Sequence, residues 1–258
     1  MAAALEHALA RDRWIIGGAI ALIAALAWAW LWREQATMGG AMAGMNMPDM
    51  PEMDAPAAYL SSAFLMWLIM MVGMMLPSAA PMILLYGKIA RSARAGGAPI
   101  APTALFAGVY LAVWTGFSGV AALAQFLLVR SGAVSDITLA FGDKRIAGAL
   151  LIAAGLYQIT PLKRLCLRYC RSPFQFLMRL WRPGLAGAAR LGLVHGLSCL
   201  GCCAALMALL FVFGVMSLVW VAALAAFVLA EKALPLGTHV SFGAGIVAAA
   251  VGLVFILG

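Results

Sequence analysis

Seven runs of apolar residues divide this chain: Trp14 to Trp32, Leu60 to Tyr86, Thr103 to Val129, Ile146 to Pro161, Leu191 to Phe213, Val215 to Leu234 and Val240 to Leu257. About 20 mostly apolar residues are what one α-helix needs to cross a hydrocarbon core about 30 Å thick. A backbone placed there must satisfy its own polar groups, which a helix does within one segment. The runs therefore predict an all-α, polytopic transmembrane helical bundle of about seven helices. The fourth run is short and the sixth carries Glu231 and Lys232 near its end, so six is the alternative count. Only 10% of the residues are charged, and the connections are too short for a sizeable soluble domain. Most soluble enzyme architectures are excluded.

Three parts follow: residues 1–33 as an N-terminal membrane anchor helix, 34–59 as a methionine-rich extracytoplasmic loop, and 60–258 as a polytopic membrane domain. Arg11 and Arg13 precede the first run, as they would in a secretory signal. The run is longer than a usual signal core, however, and it ends in Trp28, Trp30 and Trp32 without a small-x-small cleavage site, which favours a retained anchor. With the N-terminus in the cytoplasm, 13 of the 17 basic residues lie inside, and Arg33, Arg130, Lys144 and Arg145 lie outside. This is the positive-inside asymmetry. It accounts for the net charge of +8 without a nucleic-acid partner. The connection from Lys163 to Arg190, with Phe174, Phe176, Leu177, Leu180 and Trp181 among its basic residues, reads as a solvated loop or as a segment lying on the anionic inner leaflet.

Most of the 16 methionines fall between Met38 and Met82. The loop holds Met38, Met42, Met45, Met47, Met50 and Met53 among glycines, prolines and the acids Asp49, Glu52 and Asp54, a composition that cannot pack a core. Thioether sulfur is a soft, neutral ligand that selects Cu(I) and survives in an oxidising compartment, where thiols are lost to disulfides. The second run then places Met66, Met70 and Met74 at i, i+4 and i+8, with Met71 and Met75 in a parallel row on the same broad face. This face is a candidate sulfur track, although methionine is also a compliant filler of apolar cores. Pro77 and Pro81 follow and remove backbone donors, which predicts a kink or opening toward the inner half of that helix.

The fifth run carries the sharpest pattern. His195, Cys199, Cys202 and Cys203 stand at i, i+4, i+7 and i+8, one stripe of one imidazole and three thiols. Gly196 and Gly201 in the same run permit close approach of a neighbouring helix. With the membrane met near Ser61 and near Gly192, a 1.5 Å rise puts Met70 and Cys203 about 14 Å, and Met74 and Cys199 about 20 Å, from the outer edge. The two stripes are thus level. Cys166 and Cys170, at i and i+4 just inside the membrane, sit among Lys163, Arg164, Arg168 and Arg171, a setting that favours the metal-binding thiolate. Glu231 is a secondary candidate ligand, with an ordinary pairing to the adjacent Lys232 as the simpler account. Gln158 and His239 have no supporting spacing.

Together these residues resemble a bacterial family of predicted metal-binding integral membrane proteins with no assigned reaction. The resemblance covers roughly residues 60–235. It rests on Met66-Trp67 through Met70-Met71 and Met74-Met75-Leu76-Pro77-Ser78 to Pro81-Met82, and on Tyr157-Gln158 through Pro161-Leu162-Lys163 to Cys166 and Cys170-Arg171-Ser172-Pro173. His195-Gly196 through Cys199-Leu200-Gly201-Cys202-Cys203 to Leu206-Met207, and Glu231-Lys232, complete it. Ser198 and Ser217 stand where relatives carry tyrosine and asparagine. The resemblance implies metal binding in a bacterial cytoplasmic (inner) membrane, and it sets the first helix and the methionine loop apart as additions.

The expectation is a protein that captures Cu(I) at Met38 to Met53, passes it along the methionine face to His195, Cys199, Cys202 and Cys203, and relays it inward through Cys166 and Cys170. Zn(II) is the competing metal, since thiolate and imidazole suit it as well. The alternative is a copper chaperone or accessory subunit serving a membrane oxidase or oxygenase, or a packing subunit of a larger membrane complex; the partner is such a copper enzyme or a further copy in a homo-oligomer. No P-loop, Ser-His-Asp arrangement, intramembrane carboxylate pair or Cys-x-x-Cys-His haem motif is present, so an enzyme is not expected.

Overall fold

The computed structural model describes residues 2–42, 55–93, 100–135, 137–234 and 237–258. Among them are ten helices: α1 (Ala2–Met42), α2 (Pro56–Ala93), α3 (Ile100–Arg130), α4 (Lys144–Ile159), α5 (Pro161–Arg171), α6 (Pro173–Leu180), α7 (Gly184–Ala208), α8 (Leu210–Phe213), α9 (Leu218–Ala233) and α10 (Gly237–Leu257). The all-α bundle stands. Among the described residues, five helices are long and apolar enough to cross a membrane, and a sixth if the bent pair α4–α5 counts as one span. Among the described residues the count thus reaches the alternative of six and not seven. The run from Val215 forms a helix of only 16 residues, which at 1.5 Å per residue reaches about 24 Å.

The two prolines in the second run do not end α2, which continues through both to Ala93. Pro77 cannot donate to the carbonyl of Gly73 four residues earlier. That carbonyl instead accepts the indole N–H of Trp28, 3.2 Å away on α1. Arg91 near the end of α2 pairs with the buried Asp12 of α1. The first helix therefore packs along the methionine-bearing helix and supplies a donor that its prolines remove.

The break comes instead between α4 and α5. Thr160 stands in extended conformation and its Oγ1 accepts from Lys163 N at 3.2 Å, while Pro161 opens the next helix at a position whose N–H would be unpaired in any case. The two helices meet at a 63° bend. In consequence α5 runs back against α7 instead of leaving the bundle. On α7, Gly196 lets α3 come close: a Cβ there would lie 2.8 Å from Val113 Cγ2. At Gly201 a Cβ would lie 2.8 Å from Cys166 Sγ of α5.

Trp67, Met70, Met71, Met74 and Met75 of α2 are buried with Phe106, Tyr110 and Trp114 of α3 and Cys199, Cys202 and Cys203 of α7 in one core. The outer faces are apolar instead of polar: on α10, Phe242, Ile246, Val247 and Val254 are exposed, as a lipid-facing surface would be. α10 itself lies tightly on α4, with Gly148 and Gly155 meeting the backbone of Gly252 and Gly245.

Candidate metal centre

The bend after Thr160 decides the centre. It carries Cys170 of α5 to α7, where the Sγ atoms of Cys170, Cys199 and Cys202 all lie within 4.8 Å of one another, a grouping able to hold a metal ion. Cys170 Sγ is 4.0 Å from Cys202 Sγ. Cys199 and Cys202 are buried and Cys170 is half-buried. All five cysteines are free. The expected cytoplasmic relay of Cys166 and Cys170 is thus corrected. Cys170 belongs with the α7 thiols, and Cys166 packs against Gly201 on the same helix.

The α7 stripe is also divided. Cys203 Sγ lies 3.2 Å from Cys202 Sγ and is buried beside the three. His195 is one turn away and outside the grouping. Its ring stacks on Tyr110 at 5.3 Å and on Phe106 at 6.0 Å, with Phe176 of α6 at 5.7 Å, and its buried Nδ1 has no hydrogen-bond partner among the described residues. The connection from Lys163 to Arg190 does not lie wholly on a surface. It folds into α5 and α6, and α6 inserts Phe176 and Leu177 into the core while leaving Phe174 and Met178 exposed.

Two residues absent from the expected site touch it. Tyr110 on α3 donates to the Met75 carbonyl at 3.1 Å, and its hydroxyl oxygen is 3.2 Å from Cys199 Sγ. The methionine helix and the thiol helix are therefore level, as the depth count predicts, with a tyrosine between them. Lys232 Nζ donates to Ser78 Oγ at 2.8 Å and to Cys199 Sγ at 3.1 Å. Met70, Met71, Met74 and Met75 are buried side by side and Met66 is half-buried. Met45, Met47, Met50 and Met53 lie outside the described residues.

The reading of Glu231 is corrected too. It does not pair with Lys232, nor does it join the thiols. Both its oxygens accept from Lys163 Nζ, at 2.7 and 3.0 Å, and Oε1 also accepts from Ser241 Oγ at 2.6 Å. Lys163 donates as well to Gln158 Oε1. Lys163, counted as a cytoplasmic loop charge, is fully buried, and Lys232 is half-buried against the thiols. Neighbours on a helix stand about 100° apart, so Glu231 and Lys232 face different partners. A lysine in a loop and one inside a bundle read alike in sequence.

The bundle, with helices long and apolar enough to cross a membrane, thus brings together thiols from α5 and α7 in a grouping able to hold a metal ion. Residues 64–255 match the PpoB2 family, described as copper chaperones, and the chain belongs to that family. No curated protein and no solved structure matches it. The matched region contains α3 through α9 and all five cysteines, and it begins within α2, beyond the first helix and the methionine loop.

Proposed function

We propose that this protein is a non-enzymatic copper chaperone of the bacterial cytoplasmic membrane. It takes Cu(I) as cargo at Cys170, Cys199 and Cys202 and surrenders it to a partner, a copper-dependent membrane oxidase or oxygenase. The three converging thiols carry this reading. A three-coordinate metal with metal–sulfur bonds of about 2.3 Å separates its sulfurs by about 4.0 Å, the distance between Cys170 and Cys202. An all-sulfur set of low coordination number favours Cu(I) over hard cations. Zn(II) would draw in a fourth ligand, for which Cys203 is nearest.

Around that centre, Met45, Met47, Met50 and Met53 serve as capture ligands on the extracytoplasmic side. Met66, Met70, Met71, Met74 and Met75 form the soft face by which cargo approaches, and His195 is a further stop toward the inside. Ligand softness rises from thioether to thiolate in that order, which favours inward transfer. The positive-inside asymmetry supports a cytoplasmic N-terminus, and it keeps its direction when the buried Lys163 and Lys232 are set aside.

Elemental analysis of reduced, detergent-purified protein from copper-grown cells tests the proposal. About one copper per chain is expected in the parent and little in Cys199→Ser/Cys202→Ser, following the dependence of metal affinity on ligand count. A parent that carries neither copper nor zinc overturns it. Copper uptake into vesicles separates retention from transport: flux through the parent that Cys199→Ser abolishes would make it a conduit instead of a chaperone.

A further inference from the structure

Cys170 reaches the α7 thiols only because α5 is held inside the bundle, and α5 is held at both ends by the α9–α10 hairpin. At its start, Lys163 donates to both oxygens of Glu231 on α9 and to Gln158 on α4, while Ser241 of α10 donates to Glu231. At its end, Arg171 donates to the Leu234 carbonyl at 2.7 Å and to Thr238 Oγ1 at 2.8 Å. Lys163, Cys166 and Cys170 stand at i, i+3 and i+7, so whatever fixes the rotation and height of α5 at Lys163 also fixes where the Cys170 sulfur stands. Lys163 and Glu231 are each 0% exposed. A buried charge pair is a poor source of stability, since desolvation offsets its attraction, but it tolerates one register only.

We infer that the Lys163–Glu231 pair is a positioning device of the metal centre, which sets the register of α5 so that Cys170 completes the three-thiol group. The inference rests on the reading that Cys170, Cys199 and Cys202 hold the cargo. It assigns the carboxylate of Glu231 a role at the centre without contact to the metal. Gln158 and Ser241 complete the pair's hydrogen bonds, and Gly201 supplies the floor on which α5 rests. Outer-shell partners that orient a ligand in this way change metal affinity by about 10–100-fold when removed.

The test uses the full-length protein in detergent, as Glu231→Gln and as Lys163→Met/Glu231→Leu. The double variant exchanges the pair for apolar side chains and keeps the fold where the single one leaves a buried charge alone. Two readouts are taken. Without metal, diamide treatment and mass spectrometry give the yield of the Cys170–Cys202 disulfide, which is expected to fall in both variants. With Cu(I) bound, X-ray absorption is expected to show three sulfurs in the parent and two in the double variant, with binding about 10-fold weaker. Adding Cys170→Ser to the double variant is expected to weaken binding no further. A folded double variant with parental disulfide yield and three sulfurs on copper overturns the inference. A parent that forms the disulfide but binds no copper overturns the proposed function instead, and the disulfide yields still decide how Cys170 is positioned.

Discussion

At two places in this protein proline is answered in opposite ways. α2 has Pro77 and Pro81 in its middle and continues through both, whereas the chain at Thr160–Pro161 turns by 63° and sends α5 into the bundle. Pro77 lacks an N–H that the helix interior would use, whereas Pro161 lacks one that a first turn leaves unpaired. On α2 the orphaned Gly73 carbonyl is met by the Trp28 indole, so the helix can stay whole inside apolar surroundings. At Thr160 a hydroxyl accepts the N–H of Lys163, and the buried Lys163–Glu231 pair holds the new direction. Whether a helix breaks within a bundle depends less on the proline than on which neighbour supplies the missing polar partner.

This contrast can be broken from either side. Glu231→Gln leaves Lys163 as an uncompensated buried charge and is expected to lower stability by about 3–5 kcal/mol, read by denaturant unfolding in micelles, with Lys163→Met/Glu231→Leu close to the parent. A smaller loss, about 1–3 kcal/mol of overpacking, is expected for Gly201→Ala. The new methyl meets the Cys166 sulfur, and copper stoichiometry should fall with it. On the other helix, Trp28→Phe strands the Gly73 carbonyl and is expected to cost about 1 kcal/mol. In a Pro77→Ala background, which restores the intrahelical donor, the same substitution should cost measurably less, and equal costs in both backgrounds would disprove the account of α2. The least structural effect is expected from deleting residues 43–54. Unfolding should be unchanged while copper loading falls at low external copper, and unchanged loading would make the segment a linker.

Much of the centre was legible because α7 obeys a single period. His195, Cys199, Cys202 and Cys203 share one stripe, and all four are buried. The level match of the methionine and thiol helices was legible for the same reason, since rise per residue is fixed. Cys170 was not, because it is 32 residues from Cys202 and joins it through a bend. The signal was present in Thr160-Pro161, a helix start with cap and first-turn proline, which marks a new helix axis and not an extended loop. Tyr110 and Lys232 carried no spacing that tied them to the thiols. The sixth run fell short of a full span for a related reason: apolar composition extends from Val215 to Leu234, but the helix occupies only part of it.

The division of labour between Glu231 and Lys232 makes α9 sensitive to length. One residue inserted between Val221 and Glu231 would rotate everything beyond it by about 100° and advance it by about 1.5 Å. The carboxylate would leave Lys163, and the ammonium would leave Cys199 and Ser78. Loops around this bundle can lengthen at small cost, whereas α9 can neither gain nor lose a single residue without parting two sets of partners at once.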